Sequence, residues 1–215
     1  MADARQAGLT PVRERILIAI AEHLDRHGYA PSLAEIARRA GLGFVFDTNT
    51  WRANADWGAL VGYDAARLRN VNQASVALSR DMAVEFASAG VKSIVSGAIG
   101  PRRDGWQYDA EMTVEEAETY HAAQIDAFAA AGADYVSAYT LTNSPEAIGI
   151  AKAARRAGLP AVISYTLETD GNLPGGKPLA QAIDEVDTAT SGYPAYYMIN
   201  CVHPIHFTDL VSSGA

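Results

Sequence analysis

Apolar residues recur along this chain in two periods. Over 11–27, Ile16, Leu17, Ile20 and Leu24 fall at helical spacing. Thr10 stands before Pro11 as a candidate N-cap, and Gly28 is placed to stop the helix. GYAPS (28–32) reads as a turn whose Ser32 can cap a second short helix over 33–43, ended by Gly41. Then the texture changes. GFVFDT (43–48), SIVSGAIGP (93–101), DYVSAYTLT (134–142), PAVISYTLE (160–168) and AYYMINCV (195–202) each open apolar and end small and polar. They read as five strands buried on both faces. Helical stretches are expected between them at 73–89, 114–131, 144–157 and 178–189, three of which run into Gly at 90, 132 and 158.

This β-α alternation predicts an α/β fold with a parallel sheet. A doubly wound sheet would usually carry a Gly-rich phosphate loop after its first strand. Here NTWRAN follows GFVFDT instead. Polar residues close nearly every strand: Asp47-Thr48, Gly100-Pro101, Thr140 with Thr142, Thr166 with Glu168, and Asn200-Cys201. That is the habit of a (β/α)8 barrel, whose chemistry sits at the C-terminal strand ends. Five strands make the barrel incomplete.

The 215 residues suffice for one domain with a core. The longest apolar runs are too short to span a bilayer, and no signal-peptide pattern opens the chain, so no membrane association is expected. Residues 1–8 read as a loose polar start. One cysteine excludes an internal disulfide and suits a reducing, cytoplasmic setting. A formal charge of −8 argues against nucleic acid as a partner for the bulk of the chain, although residues 1–42 carry six Arg against five acids.

Candidate chemistry gathers at the strand ends. Asp47, Thr48 and Thr50 can hydrogen-bond a substrate or merely cap the turn that follows. Trp51 can wall a pocket or pack a helix, and Arg52 can pair with a carboxylate or stay exposed. Gly97, Gly100 and Pro101 shape the third loop, where glycine permits close backbone approach to a ligand. Glu168 and Asp170 have the chemistry for acid–base work, with a solvated or capping role weighed against it. GNLPGGK (171–177) reads as a loop over the barrel mouth. Cys201, the lone thiol, is read either as a buried hydrophobe or as a metal ligand. With His203 and His206 it forms a C-x-H-x-x-H string, a weak metal signal because these residues leave a strand for a loop.

FVFDTNTWRAN, SGAIGPRRDGW, YHAAQIDAFAAAGADYV, ISYTLETDGNLPGGKPL and YYMINCVHPIHF resemble successive blocks of the homocysteine S-methyltransferase family, over about residues 33–207. The resemblance implies a (β/α)8 barrel, with strands two to six present here. It implies methyl transfer from a sulfonium-type donor to homocysteine sulfur, giving methionine. It further implies a zinc ion held by three thiolates, because a metal-bound thiol is deprotonated outright. Cys201, preceded by Asn200, matches the first of those thiolates, so Cys201 is the metal residue. Asp47, Thr48, Thr50, Trp51 and Asn200 become the expected substrate contacts. The small molecules expected as partners are homocysteine and the methyl donor.

Three family features have no counterpart here. They are the Gly-Gly-Cys-Cys block with the other two thiolates, the Asp-Gly-Gly motif of the first strand, and the Glu that holds the substrate ammonium, whose place Tyr139 takes. The alternative expectation is therefore an inactive, truncated or fused family fragment, self-associating through open barrel edges.

LTPVRERILIAIAEHLDRHGYAPSLAEIARRAGL (9–42) resembles the first two helices of the SOS-repressor winged-helix domain. The expected division is a helix-turn-helix-like segment at 1–32, consistent with a fusion, and a partial barrel at 33–215. A DNA-binding regulator is the weakest of the three readings, because the recognition helix and wing that would follow residue 43 are absent.

Overall fold

The computed structural model describes residues 9–105 and 112–212. The expected polar start at 1–8, Trp106 of the SGAIGPRRDGW block, and the last residues of the 33–215 segment lie outside the described residues. The chain divides into two compact units: residues 1–46 with 79–94, and residues 47–78 with 95–215.

In the first unit, α1 (Pro11–His27) begins as the sequence dictates. Thr10 accepts from the Arg13 amide, Pro11 occupies the first turn, and Gly28 ends the helix at φ 77°. α2 (Leu33–Ala40) carries a full capping box between Ser32 and Glu35 and stops at Gly41, φ 65°. Packing departs from the apolar pattern, however. Ala19 and His23 are the buried residues of α1, whereas Leu17 and Leu24 are 50% and 43% exposed. Arg15 Nε donates to the Ala40 carbonyl, tying α1 to the end of α2.

Among the described residues, five strands form one sheet in the order β1 (Phe44–Asp47), β2 (Ser93–Ile99), β3 (Tyr135–Leu141), β4 (Ala161–Tyr165), β5 (Tyr196–Ile199). The pairs β2–β3, β3–β4 and β4–β5 are parallel. β1 joins β2 through Phe44 N to Lys92 O and Thr48 N to Ser96 O. Between the strands run α3 (Ala55–Leu60), α4 (Ala65–Ser88), α5 (Val114–Ala130), α6 (Ser144–Ala157) and α7 (Leu179–Thr190). A 3-10 turn at Pro204–His206 and α8 (Thr208–Ser212) follow β5.

Spatial order equals chain order, with no reversal. Right-handed crossovers in such a sheet put the connecting helices on one face, whereas a doubly wound sheet would have to reverse. Gly97 marks the covered face, because a Cβ there would stand 2.3 Å from the Phe128 ring of α5. α5 and α6 touch closely at Gly149, where a Cβ would lie 2.5 Å from Ala117. The opposite face carries a polar row: Ser96 Oγ donates to Ser137 Oγ at 2.8 Å, and Ser164 Oγ donates to Asn200 Oδ1 at 2.7 Å. The three glycines expected to stop helices do so, with φ of 80° at Gly90 and Gly132 and 74° at Gly158.

Candidate functional site

The loop leaving β1 is held from within. Thr48 Oγ1 accepts from Ala98 N at 2.9 Å, Thr50 Oγ1 donates to Ala98 O at 2.7 Å, and the two hydroxyls lie 2.6 Å apart. Both threonines are buried. They clasp the backbone of β2 where the strand ladder would otherwise end. Gln124 Nε2 of α5 donates to the Thr50 carbonyl at 2.7 Å and fixes the loop from the helix side.

Trp51 is fixed by its indole and its carbonyl. Nε1 donates to the Tyr139 carbonyl at 3.3 Å, and the Trp51 carbonyl accepts from Gly100 N at 3.0 Å. A Cβ on Gly100 would come within 2.5 Å of the indole nitrogen. The close approach expected at Gly100 is therefore occupied by Trp51. Asp47 is exposed, and its Oδ2 accepts from the Tyr139 hydroxyl at 3.0 Å. Burial first, and the Asp47 charge second, push the Tyr139 phenol well above its ordinary range, so it stays a donor.

Asn200, one residue past β5, joins three strand ends. Its Oδ1 accepts from Thr140 N at 2.9 Å and from Ser164 Oγ at 2.7 Å. Its Nδ2 donates to Thr140 Oγ1 at 2.9 Å and to Cys201 Sγ at 3.2 Å. Two of the residues it touches hold unusual backbone: Thr140 at φ 63° and Cys201 at φ 56°. Positive φ is an outlier for a β-branched threonine and costs on the order of 1 kcal/mol. The register between β3 and β4 slips at the same place, between Ala138 and Leu141. Cys201 is exposed, so the buried-hydrophobe reading fails. Its sulfur lies 4.0 Å from Thr140 Oγ1.

The remaining candidates serve the local chain. His203 is exposed and caps the 3-10 turn, with Nδ1 accepting from Ile205 N. His206 ends that turn. The two imidazole centroids are 6.2 Å apart. Asp170 accepts from the backbone and side-chain nitrogens of Asn172, both at 3.0 Å, and those bonds lower its pKa. Glu168 is exposed. The 171–177 loop is tied down by Lys177, whose Nζ donates to Ser144 Oγ at 2.8 Å and pairs with Glu185 at 2.5 Å. Among the described residues, no group of three His, Cys, Asp or Glu side chains is placed to hold a metal ion.

Sequence reasoning passed over Ser164 and the buried pair His121–Glu146. In that pair, His121 Nε2 lies 2.9 Å from Glu146 Oε1, which also accepts from Arg102 N at 2.7 Å. The signal for Glu146 was its place two residues past Ser144, at a helix start that Asn143 caps.

The homocysteine S-methyltransferase family model matches residues 39–214, so the chain belongs to that family. The model of the LexA DNA binding domain matches residues 6–44. Among solved structures, the chain is similar to the homocysteine methyltransferase MmuM from Escherichia coli. The metallated form gives a TM-score of 0.67 at 23% identity, covering 94% of this chain and 83% of that one. The apo form gives 0.60 at 25% identity, covering 99% and 75%. Comparison with curated proteins finds no match. Among the described residues, no helix is long and apolar enough to cross a membrane.

Proposed function

We propose that this chain is a thiol methyltransferase of the homocysteine class, transferring a methyl group from a sulfonium-type donor to homocysteine sulfur to give methionine. The observation that supports this best is the Asn200–Cys201 junction, held to Thr140 and Ser164 where β3, β4 and β5 end. In the reaction, sulfur attacks the methyl carbon. The methyl–sulfonium bond breaks with its electron pair going to the departing sulfide, and the thiol proton leaves to water.

Asp47, Thr48, Thr50, Trp51 and Asn200 form the substrate side of this reading. Asp47 offers a carboxylate to a substrate ammonium. Asn200 sets the strand ends, and Trp51 forms the wall beside Gly100. The two threonine hydroxyls are already spent on Ala98, so their part is to fix the loop, not to hold the ligand directly.

Zinc calls for a set of donors around the substrate sulfur. The described residues bring the Cys201 thiol and no three-group cluster, so by themselves they do not fit a zinc site. Cys201 is proposed as one donor, with the others coming from sequence outside residues 1–215 or from a second polypeptide. Self-association along the edge strands β1 and β5 would bring one near, and their exposed apolar residues favour it: Val45 is 42% and Tyr196 50% exposed. The rest of the reading is a partial (β/α)8 barrel over 33–215 behind a helix-turn-helix-like segment at 1–32, in the cytoplasm.

Metal content measured by elemental mass spectrometry, alongside light scattering, tests the donor role. Metal in the associated species that is lost in Cys201→Ser supports it. Metal retained in Cys201→Ser removes Cys201 from the site. Neither metal nor methyl transfer would favour the alternative, a family member without the family's chemistry.

A further inference from the structure

Beside the β1–α3 turn lies a cavity of about 290 Å³ lined by Arg52, Trp57, Val61, Tyr63, Leu68 and Val71 among others. None of the substrate or metal residues proposed above lines it. The Arg52 guanidinium carbon stands 4.2 Å from the ring centre of Trp51 and 4.1 Å from that of Trp57. Nη1 of Arg52 donates to the Arg103 carbonyl at 2.9 Å. Trp51, which carries this stack, is itself pinned to Tyr139 and Gly100. The arginine is thus held in place before any ligand arrives. The Arg67 guanidinium stands 3.9 Å from the ring centre of Tyr63, one of the lining residues.

The nearby carboxylates are partly committed. Asp64 accepts from Arg67 N at 2.8 Å, and Asp56 pairs with Arg102 at 2.8 Å. Asp104 is the acid whose field reaches Arg52. The floor is tight and apolar, since a Cβ on Gly58 would meet Leu68 at 2.7 Å. Trp57 and Val61 remain 38% and 68% exposed. A fixed guanidinium favours a planar carboxylate that takes two of its N–H groups. Aromatic and branched aliphatic walls favour a flat apolar body, and the volume is at the small end for ligand pockets.

We propose that this pocket binds a small aromatic carboxylate, with Arg52 taking the carboxylate and the ring lying against Trp57, Val61 and Leu68. The test titrates benzoate and its uncharged isostere benzamide into the purified chain, read by tryptophan fluorescence and by backbone amide shifts at Gly58 and Val61. Benzoate should saturate, with benzamide at least about tenfold weaker. Arg52→Gln should weaken benzoate by about tenfold, the loss of one charge-assisted bond. Val61→Glu, a change on the exposed rim, should weaken it as much by charge repulsion while leaving the Arg52 stack intact. That second variant carries the test should Arg52→Gln fail to fold. Equal affinity for benzoate and benzamide, absence of saturation to about 10 mM, or unchanged benzoate affinity in Val61→Glu would overturn the proposal.

Discussion

Asn200 grips Thr140 with both ends of its amide: Oδ1 accepts from the Thr140 amide and Nδ2 donates to its Oγ1, each at 2.9 Å. A threonine at φ 63° needs such a hold, because its own backbone preference opposes the conformation. The grip connects the end of β3 to the residue that precedes the lone thiol. Strain there is consistent with a site whose geometry is set by its surroundings.

Asn200→Ala should therefore cost about 2–4 kcal/mol. It strips the acceptor from the buried Thr140 amide and the buried Ser164 hydroxyl, and each orphaned donor costs roughly 1–3 kcal/mol. Asn200→Asp keeps that acceptor and should cost less. Urea unfolding of the three proteins measures the ranking. An alanine variant as stable as the parent would mean the grip is incidental.

Much of this architecture was legible in the sequence, because its signals are local. Thr10, Ser32, Gly28 and Gly41 act through their own dihedrals and hydrogen bonds, and each cap stands where expected. The sequential, one-way sheet follows from the alternation of strands and helices. α3 escaped notice because six residues, ADWGAL, show too little period, and α4 begins at Ala65, eight residues before the expected start. Burial on α1 is not legible for a different reason. Periodicity says which residues share a face but not how much that face is covered, so Leu17 stays exposed while His23 is buried. Within the site, Asn200 and Cys201 stood out by sequence context. The clasp of Thr48 and Thr50 on Ala98 joins residues 50 and 48 positions apart, which no local pattern reveals.

Gly100 offers a sharp steric test. A methyl group there would stand 2.5 Å from the Trp51 indole, which is anchored to Tyr139. Gly100→Ala should destabilise by about 1–3 kcal/mol, as overpacking does, and should shift tryptophan emission. An unchanged emission spectrum would show that the indole does not pack on this glycine.

Two side-chain pairs should differ in weight. Glu146 is buried and serves both His121 and the Arg102 amide, so Glu146→Ala should cost about 2–4 kcal/mol by leaving both without an acceptor. Asp126 and Arg156 form a pair exposed to 57% and 50%, and Arg156→Ala should change stability by less than about 1 kcal/mol. Thermal or denaturant melts decide. Equal losses would contradict the burial argument.

The helical unit at the start of the chain should weaken in mild acid. Burial holds the His23 pKa below its ordinary 6.5, ahead of the opposing pull of Glu35, with His27, Arg39 and Arg26 acting in the same direction as burial. Below 6.5 the unfolded chain takes up a proton that the folded one refuses. The contribution is therefore complete above pH 6.5 and shrinks as pH falls toward the lowered value. Glu35, whose pKa is lowered first by its bonds to Ser32, adds a second loss further down, below about 4.5. Amide exchange over α1 and α2 at pH 7.5 and 5.5, with the pH effect on intrinsic exchange rates removed, should show less protection at the lower pH. His23→Gln should remove most of that difference. Greater protection at pH 5.5 would mean that the Glu35 attraction outweighs burial.

The central claim is methyl transfer to a homocysteine thiol at the site marked by Asn200 and Cys201. The most direct measurement follows a labelled methyl group from a sulfonium donor to homocysteine, with the native chain and with Cys201→Ser side by side. The account predicts labelled methionine from the native chain and a loss of at least about tenfold in the variant, since even changing the partners of a metal ligand costs about 10–100-fold. Equal turnover by the two proteins would contradict it.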